Sequence, residues 1–259
     1  MSSNWRIDAE EGLWPEGVGR RILPEIDSTN AEAARIAASL TEPCWILALN
    51  QTAAHGRRGR AWINPPGNFA ATYVMHPAES PDKIALRSFV AALALHDALV
   101  AATGHLDGLA LKWPNDVLLQ GGKVAGILLE TSGQGASVDY LAIGIGVNLA
   151  NAPDPADLEP GATRPVALDD IIGGTISPQN FLNLLAPAYA WWEHRFTQDG
   201  FAPIRETWLR YAARIGKVIT ARTGTEEITG TFETIDDAGN LILTTPKGRR
   251  TIAAAEVFF

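Results

Sequence analysis

The sequence predicts an α+β protein: a mixed, largely antiparallel sheet with helices over residues 1–214, followed by a small β-barrel over residues 215–259. Three observations carry this prediction. Short apolar, strand-like runs are interspersed with long Ala- and Leu-rich helical stretches. Glycine pairs in the middle of the chain read as hairpin turns, which implies antiparallel neighbours. After Ile215 the pattern changes to short β-rich runs separated by turns, too little chain for a robust core of its own.

Taken in order, Arg21 to Glu25 reads as a strand and leads into an N-cap signal, Asp27-Ser28-Thr29, with Ser28 and Thr29 as helix caps. Thr29, with Glu32 three residues on, matches a capping box, so an Ala-rich helix is expected to run to about Ser39. Trp45 to Leu49 is a short buried strand. Gln51 to Asn68 is polar, rich in Gly and Pro, and too long for an ordinary connection, which marks a functional loop. Phe69 to Met75 is a strand and Ile84 to Ala102 a helix. Val117–Gln120 and Lys123–Glu130 flank Gly121-Gly122 as a hairpin, and a second hairpin turns at Gly133-Gln-Gly135 into Asp139–Asn148. Ala150 to Pro165 is a surface loop, with helices at about Pro178–Arg195 and Ala202–Arg214. Four β-rich runs, beginning at Val218, Ile228, Leu241 and Arg250, make up the barrel, read as an appendage docked on the rest.

Composition removes several functional classes. The chain has 259 residues and a formal net charge of −8. No uncharged run reaches the ~18–20 residues of a membrane span, because Phe89–Ala102 is interrupted by His96 and Asp97. Met1-Ser-Ser-Asn-Trp-Arg lacks the apolar region of a secretory signal. One cysteine, Cys44, forbids an intrachain disulfide, and a reducing, cytoplasmic compartment is the simplest expectation. The acidic balance argues against a general nucleic-acid surface. Against that average, Arg57-Arg58-Gly59-Arg60 gathers three cations in four residues.

That cluster has the chemistry of an oxyanion binder. Its glycines admit close backbone approach, and guanidinium forks match phosphate or carboxylate oxygens; a solvated basic loop is the competing reading. In Lys112-Trp113-Pro114-Asn115-Asp116 a lysine ends an apolar strand and a carboxylate and an amide follow a proline turn, suited to an anion and a metal, or simply to a turn. Closing the hairpin at Gly121-Gly122 pairs Asp116 with Ile127 and puts Lys123 and Asp116 on one face, about 13 Å apart along the ladder. Gly126 in mid-strand suggests close approach by a ligand or by backbone. Gly144, Gly146 and Asn148 share a face, a bare stripe fit for a flat ring or for a neighbouring chain segment. His55, His76, His96, His105 and His194 show no ligand spacing, and Trp191-Trp192 reads as core.

In order and spacing, these segments resemble biotin protein ligases. The pieces are Asp27-Ser28-Thr29-Asn30, Gln51 with Gly56-Arg57-Arg58-Gly59-Arg60-Ala61-Trp62, Lys112 to Asp116, Lys123 to Glu130, and Gly144 to Asn148. The resemblance implies a class II synthetase-like catalytic fold with an SH3-like C-terminus. It also implies a two-step reaction in which biotin and ATP form biotinyl-5′-AMP, followed by transfer to a lysine of a carboxylase carrier domain. By similarity, Ser28, Thr29, Asn30 and Gln51 contact the biotin head group, and Gly56 and Arg57 close over the carboxylate and adenylate. Lys123 holds a carboxyl or phosphate oxygen, and Gly126, Leu128, Gly144 and Gly146 line the cleft. Arg57, Arg58, Arg60, Trp62, Lys112, Asn115 and Asn148 serve ATP, and Asp116 serves Mg²⁺ or the acceptor lysine. Catalysis is expected from Arg57, Lys112, Asp116 and Lys123.

Family members usually read Gly-Arg-Gly-Arg-Arg-Gly-Arg where this chain has Ala54-His55-Gly56-Arg57-Arg58-Gly59-Arg60. A shorter, titratable ring replaces a permanent cation, so no binding role is carried onto His55. The first motif begins at Asp27, so a preceding DNA-binding domain is not expected, nor is a membrane partner; a homodimer is left open. Competing readings are a lipoate or octanoyl ligase-type enzyme and a degenerate biotin- or nucleotide-binding module.

Overall fold

The computed structural model describes residues 14–104, 107–133, 137–154, 162–174 and 176–259. The expected turn residues Gln134 and Gly135, the N-terminal Met1–Arg6, His105 and the middle of the Ala150–Pro165 loop lie outside these residues. Seven strands form the main sheet: β1 (Gly19–Leu23), β2 (Cys44–Ala48), β3 (Phe69–Met75), β4 (Leu109–Lys112), β5 (Asp116–Leu119), β6 (Gly122–Ser132) and β7 (Tyr140–Val147), in the order β1-β2-β3-β7-β6-β5-β4. Only β1–β2 is parallel. The sheet is thus mixed and largely antiparallel, as the hairpin signals predicted.

One face of the sheet is covered by α3 (Arg87–Thr103) and α5 (Pro178–Asp199), with α6 (Phe201–Tyr211) beside them. α3 and the short α2 (Pro81–Ala85) replace the single helix expected from Ile84; Leu86 separates them. By length and composition Pro81–Thr103 is apolar enough to cross a membrane, contrary to the reading of its charges, but most of it is buried in the fold. It is a core helix, enclosed by α5, α6 and the sheet. Within it, buried Arg87 donates to Glu79 and Glu193, and Asp97 accepts from Trp192 Nε1 at 2.6 Å. A short helix, α4 (Asp169–Ile172), had no sequence counterpart.

The last part of the chain forms a five-stranded antiparallel sheet, β11-β10-β9-β8-β12, from β8 (Val218–Arg222), β9 (Glu227–Ile235), β10 (Leu241–Thr245), β11 (Gly248–Ile252) and β12 (Glu256–Phe258). Its apolar residues Phe232, Ile235, Leu241 and Leu243 join the same buried cluster as α3 and α6. Trp113 Nε1 donates to Gly239 O at 3.0 Å and Arg205 Nε to Ile235 O at 2.6 Å. Shared core and backbone-directed bonds explain how so few residues keep a fold that would be marginal alone.

Three local expectations are corrected. The helix α1 (Thr29–Ile36) is capped by Ser28, one of the two cap residues expected, and not through a Thr29 capping box: extended Ser28 accepts from Ala31 N, and Thr29 is already helical. Ser28 frees Thr29's hydroxyl for the cleft. The β5–β6 turn uses Gln120-Gly121, both at positive φ (49° and 81°), with Leu119 paired to Gly122. A bulge then shifts the register, so that Asp116 faces Gly126 rather than Ile127. Lys123 therefore reaches Asp116 directly, 2.6 Å from Nζ to Oδ1, instead of standing about 13 Å away along the ladder. Its side chain crosses the bare Cα of Gly126, where a Cβ would sit 3.4 Å from Nζ.

Candidate active site

Two cross-strand rows build the floor of a cleft of about 390 Å³. One row is Thr72, Gly144 and Leu128 on β3, β7 and β6; the other is Gly146, Gly126 and Asp116 on β7, β6 and β5. Every residue assigned to the site from sequence lines this one cleft. The sequence could place the glycines on a face of one strand. Only strand pairing puts Gly126 opposite Gly146.

At one end, the start of α1 supplies polar groups. Gln51 Oε1 accepts from Thr29 N at 2.7 Å and lies 3.1 Å from Thr29 Oγ1. Asn30 is buried, with Nδ2 donating to Glu130 Oε2 at 2.7 Å and Oδ1 accepting from Thr72 Oγ1 at 2.6 Å. A Cβ on Gly144 would approach Asn30 Oδ1 to 2.4 Å, so glycine is needed for Asn30 to sit there.

Over the second row lies the Trp62 indole. A Cβ on Gly146 would meet it at 2.5 Å and one on Gly126 at 3.2 Å. The bare stripe holds a neighbouring chain segment, the alternative the sequence had left open. Among the described residues, Trp62 Nε1 and Asn148 Oδ1 are buried without a hydrogen-bond partner, so a donor and an acceptor remain for a heterocycle. Lys123 Nζ stands 5.4 Å from the Trp62 ring centroid, a cation–π distance.

At the other end the cations converge. Arg57 Nη1 donates to Asn115 Oδ1 at 3.3 Å, and Asn115 Nδ2 is fixed on Ile127 O. Lys112, only 8% exposed, donates to Thr163 Oγ1 at 2.7 Å. Burial pushes both Arg57 and Lys112 below their ordinary pKa values, a cost that an anion in the cleft would relieve.

Arg58 and Arg60 also line the cleft, but face a carboxylate across it. Arg60 grips Glu256 of β12 with Nη1 and Nη2 at 2.6 and 2.9 Å, and Arg58 Nη1 is 3.7 Å from the same carboxylate. Residues 54–62 form a small hairpin, with Gly56 N on Arg60 O at 2.7 Å and Trp62 N on Ala54 O at 3.0 Å. Arg58 at its tip takes φ +59°, a left-handed conformation uncommon for arginine. The sequence reading missed Glu256, 196 residues from Arg60, because nothing local relates them. It also gave no role to Glu130, or to Thr72 and Thr163.

Among the described residues, no three His, Cys, Asp or Glu side chains cluster as a metal site. Asp116 is already engaged by Lys123. This donor set does not fit a resident metal ion.

The Biotin/lipoate A/B protein ligase family matches residues 22–148, and the Biotin protein ligase C terminal domain family matches residues 215–259. The chain is 57% identical to the biotin–[acetyl-CoA-carboxylase] ligase of Paracoccus denitrificans, over 92% of this chain and 99% of that one. It is 30% identical to the bifunctional ligase/repressor BirA of Bacillus subtilis, over 95% of this chain and 76% of that one. Among solved structures, the biotin protein ligase of Aquifex aeolicus in complex with biotin and ATP superposes with a TM-score of 0.80. It is 25% identical, covering 92% of this chain and 98% of that one. The seven-stranded sheet, the cleft that gathers the motifs and these likenesses lead to one conclusion: the chain belongs to the biotin protein ligase family.

Proposed function

We propose that residues 1–214 form the catalytic unit and residues 215–259 an accessory SH3-like unit of an enzyme that joins biotin to a carrier lysine. The protein is an ATP-dependent biotin protein ligase. The observation that carries the assignment of sites is the single cleft with a polar head-group end, a glycine shelf and a cationic end. Ser28, Thr29, Asn30 and Gln51 take the ureido head group, and Leu128, Gly144, Gly146 and Gly126 the ring and chain. Trp62, Asn115 and Asn148 take the adenine, while Arg57, Lys112 and Lys123 face the carboxylate and phosphates.

The chemistry follows from the charges. A biotin carboxylate oxygen attacks the α-phosphorus of ATP; the new C–O–P bond forms as the bond to the β-phosphate oxygen breaks and pyrophosphate leaves. Negative charge grows on the departing group, and pre-positioned cations stabilise it without reorganising at that moment. In the second step the neutral amine of the carrier lysine attacks the acyl carbon, the C–O bond to AMP breaks, and the amine's proton departs. Asp116, beside Lys123, is the carboxylate placed to accept it. Magnesium enters as part of the nucleotide substrate, since it keeps several waters and leans on substrate phosphates. The 54–62 hairpin shields the reactive anhydride from water.

The carrier is a biotin-accepting domain of a carboxylase, and the enzyme acts in the cytoplasm. Exchange of labelled pyrophosphate into ATP, run with biotin and with lipoate, tests the reading. Exchange with biotin alone supports it; exchange with lipoate alone assigns a lipoate ligase-type enzyme, and exchange with neither reduces the protein to a binding module.

A further inference from the structure

Glu130 joins two parts of the cleft that the sequence treats separately. It sits on β6 opposite Ala142 and is half-exposed. Oε2 accepts from Asn30 Nδ2 at 2.7 Å, and Oε1 lies 3.2 Å from Nε2 of His55 on the arginine hairpin. The carboxylate only accepts, so Asn30 must turn its NH₂ toward Glu130 and its oxygen toward Thr72. The Thr72 hydroxyl lies 2.6 Å from Asn30 Oδ1 and 2.8 Å from Thr29 Oγ1. Its one proton serves Asn30, which leaves the Thr29 hydroxyl to donate. One chain of contacts thus runs from the hairpin through Glu130 and Asn30 to Thr29 and Gln51.

We propose that Glu130 is a positioning residue that couples the biotin head-group pocket to closure of the 54–62 hairpin: one oxygen sets the Asn30 amide and the other holds His55. The proposal rests on the biotin-site reading above. Glu130 stands behind the cleft lining and acts through Asn30 and His55, which do line it. Because the two contacts use different oxygens, they are separable. Glu130→Gln retains an acceptor for Asn30 but removes the charge facing His55, whereas Glu130→Ala removes both contacts.

The test uses the full chain. Biotin affinity is measured by calorimetry, the release of pre-formed biotinyl-5′-AMP by stopped flow, and folding by thermal melting. Expected for Glu130→Gln and His55→Ala is adenylate release faster by about two- to fivefold, the range of a half-exposed polar side-chain contact, with biotin affinity within about twofold of wild type. Expected for Glu130→Ala is the same acceleration plus biotin binding weaker by about tenfold, because a buried amide donor loses its partner. The double variant His55→Ala/Glu130→Ala releases adenylate no faster than Glu130→Ala alone, and His55→Arg releases it more slowly than wild type.

Additive release effects in the double variant, or normal biotin affinity in a folded Glu130→Ala, would overturn the coupling. If Glu130→Ala does not fold, the coupling stands or falls on the split shown by Glu130→Gln. A wild-type protein that binds no biotin would overturn the site reading itself, a result distinct from biotin binding that is indifferent to Glu130.

Discussion

Replacing Glu256 by Gln removes the charge that ties the arginine hairpin to the C-terminal sheet. Arg60 makes two short contacts with this carboxylate and Arg58 a longer one, and the Glu256 side chain is 25% exposed. The hydrogen bond from Arg60 holds its carboxyl below the ordinary Glu range. Both arginines are more than a third exposed, so solvent screening limits the pair to about 1 kcal/mol. That corresponds to about fivefold in an equilibrium constant. A looser hairpin should raise KM for ATP by about that factor and leave kcat nearly unchanged, read in pyrophosphate exchange, and trypsin should cut within residues 54–62 faster. The sign with pH follows: a depressed folded pKa contributes stability above the unfolded value near 4.5, and it is lost as pH falls through the folded value. Wild type should therefore lose this advantage over Glu256→Gln in acid. Tighter ATP binding in the variant would refute the reasoning, since it would mean that Glu256 competes with the nucleotide for the arginines.

Gly146→Ala drives a Cβ to 2.5 Å from the Trp62 ring, so the indole must leave the shelf; stability should fall by about 1–3 kcal/mol and Trp fluorescence should shift. Lys112 is lowered by burial, so ATP affinity should decline with rising pH before an ordinary lysine would titrate, and Lys112→Arg should remove that alkaline loss. Folding stability should move the opposite way, rising over the same range, because the neutral amine is favoured in the fold. Glu193→Ala leaves the buried Arg87 guanidinium with Glu79 as its remaining carboxylate and should cost about 1–3 kcal/mol in denaturant melts. Biotin with ATP should slow proteolysis within Gln51–Asn68; equal cleavage with and without them would contradict closure of this loop.

The strands and long helices were legible because hydrophobic period and turn residues are local signals. Phe69–Met75 matches its expected bounds, and Thr29, Gln51, Arg57 and Lys112 were marked by residue type and motif. Less legible was anything that turned on one residue of register. The Gly121-Gly122 turn fell one residue from the true Gln120-Gly121, because Gly-Gly is the pair that takes φ > 0 freely, Gln120 adopts it as a non-glycine residue, and the bulge at the next pair has no sequence mark. The capping box slipped by one residue too, since Ser28 and Thr29 both suit the position.

By itself, then, the sequence determined the set of chemical groups: a cationic Gly-rich hairpin, a Lys-to-Asp turn, glycine-bearing strands, and a family membership that five ordered motifs made specific. Tertiary structure alone decided how those groups are paired. It brought Lys123 onto Asp116 across Gly126, laid Trp62 over Gly146, and set Glu256 against the arginines and Glu130 between Asn30 and His55. The physical reason is that side-chain type and backbone period are carried locally along the chain. Contacts between residues on different strands and loops depend on strand order and register, which only the completed packing fixes.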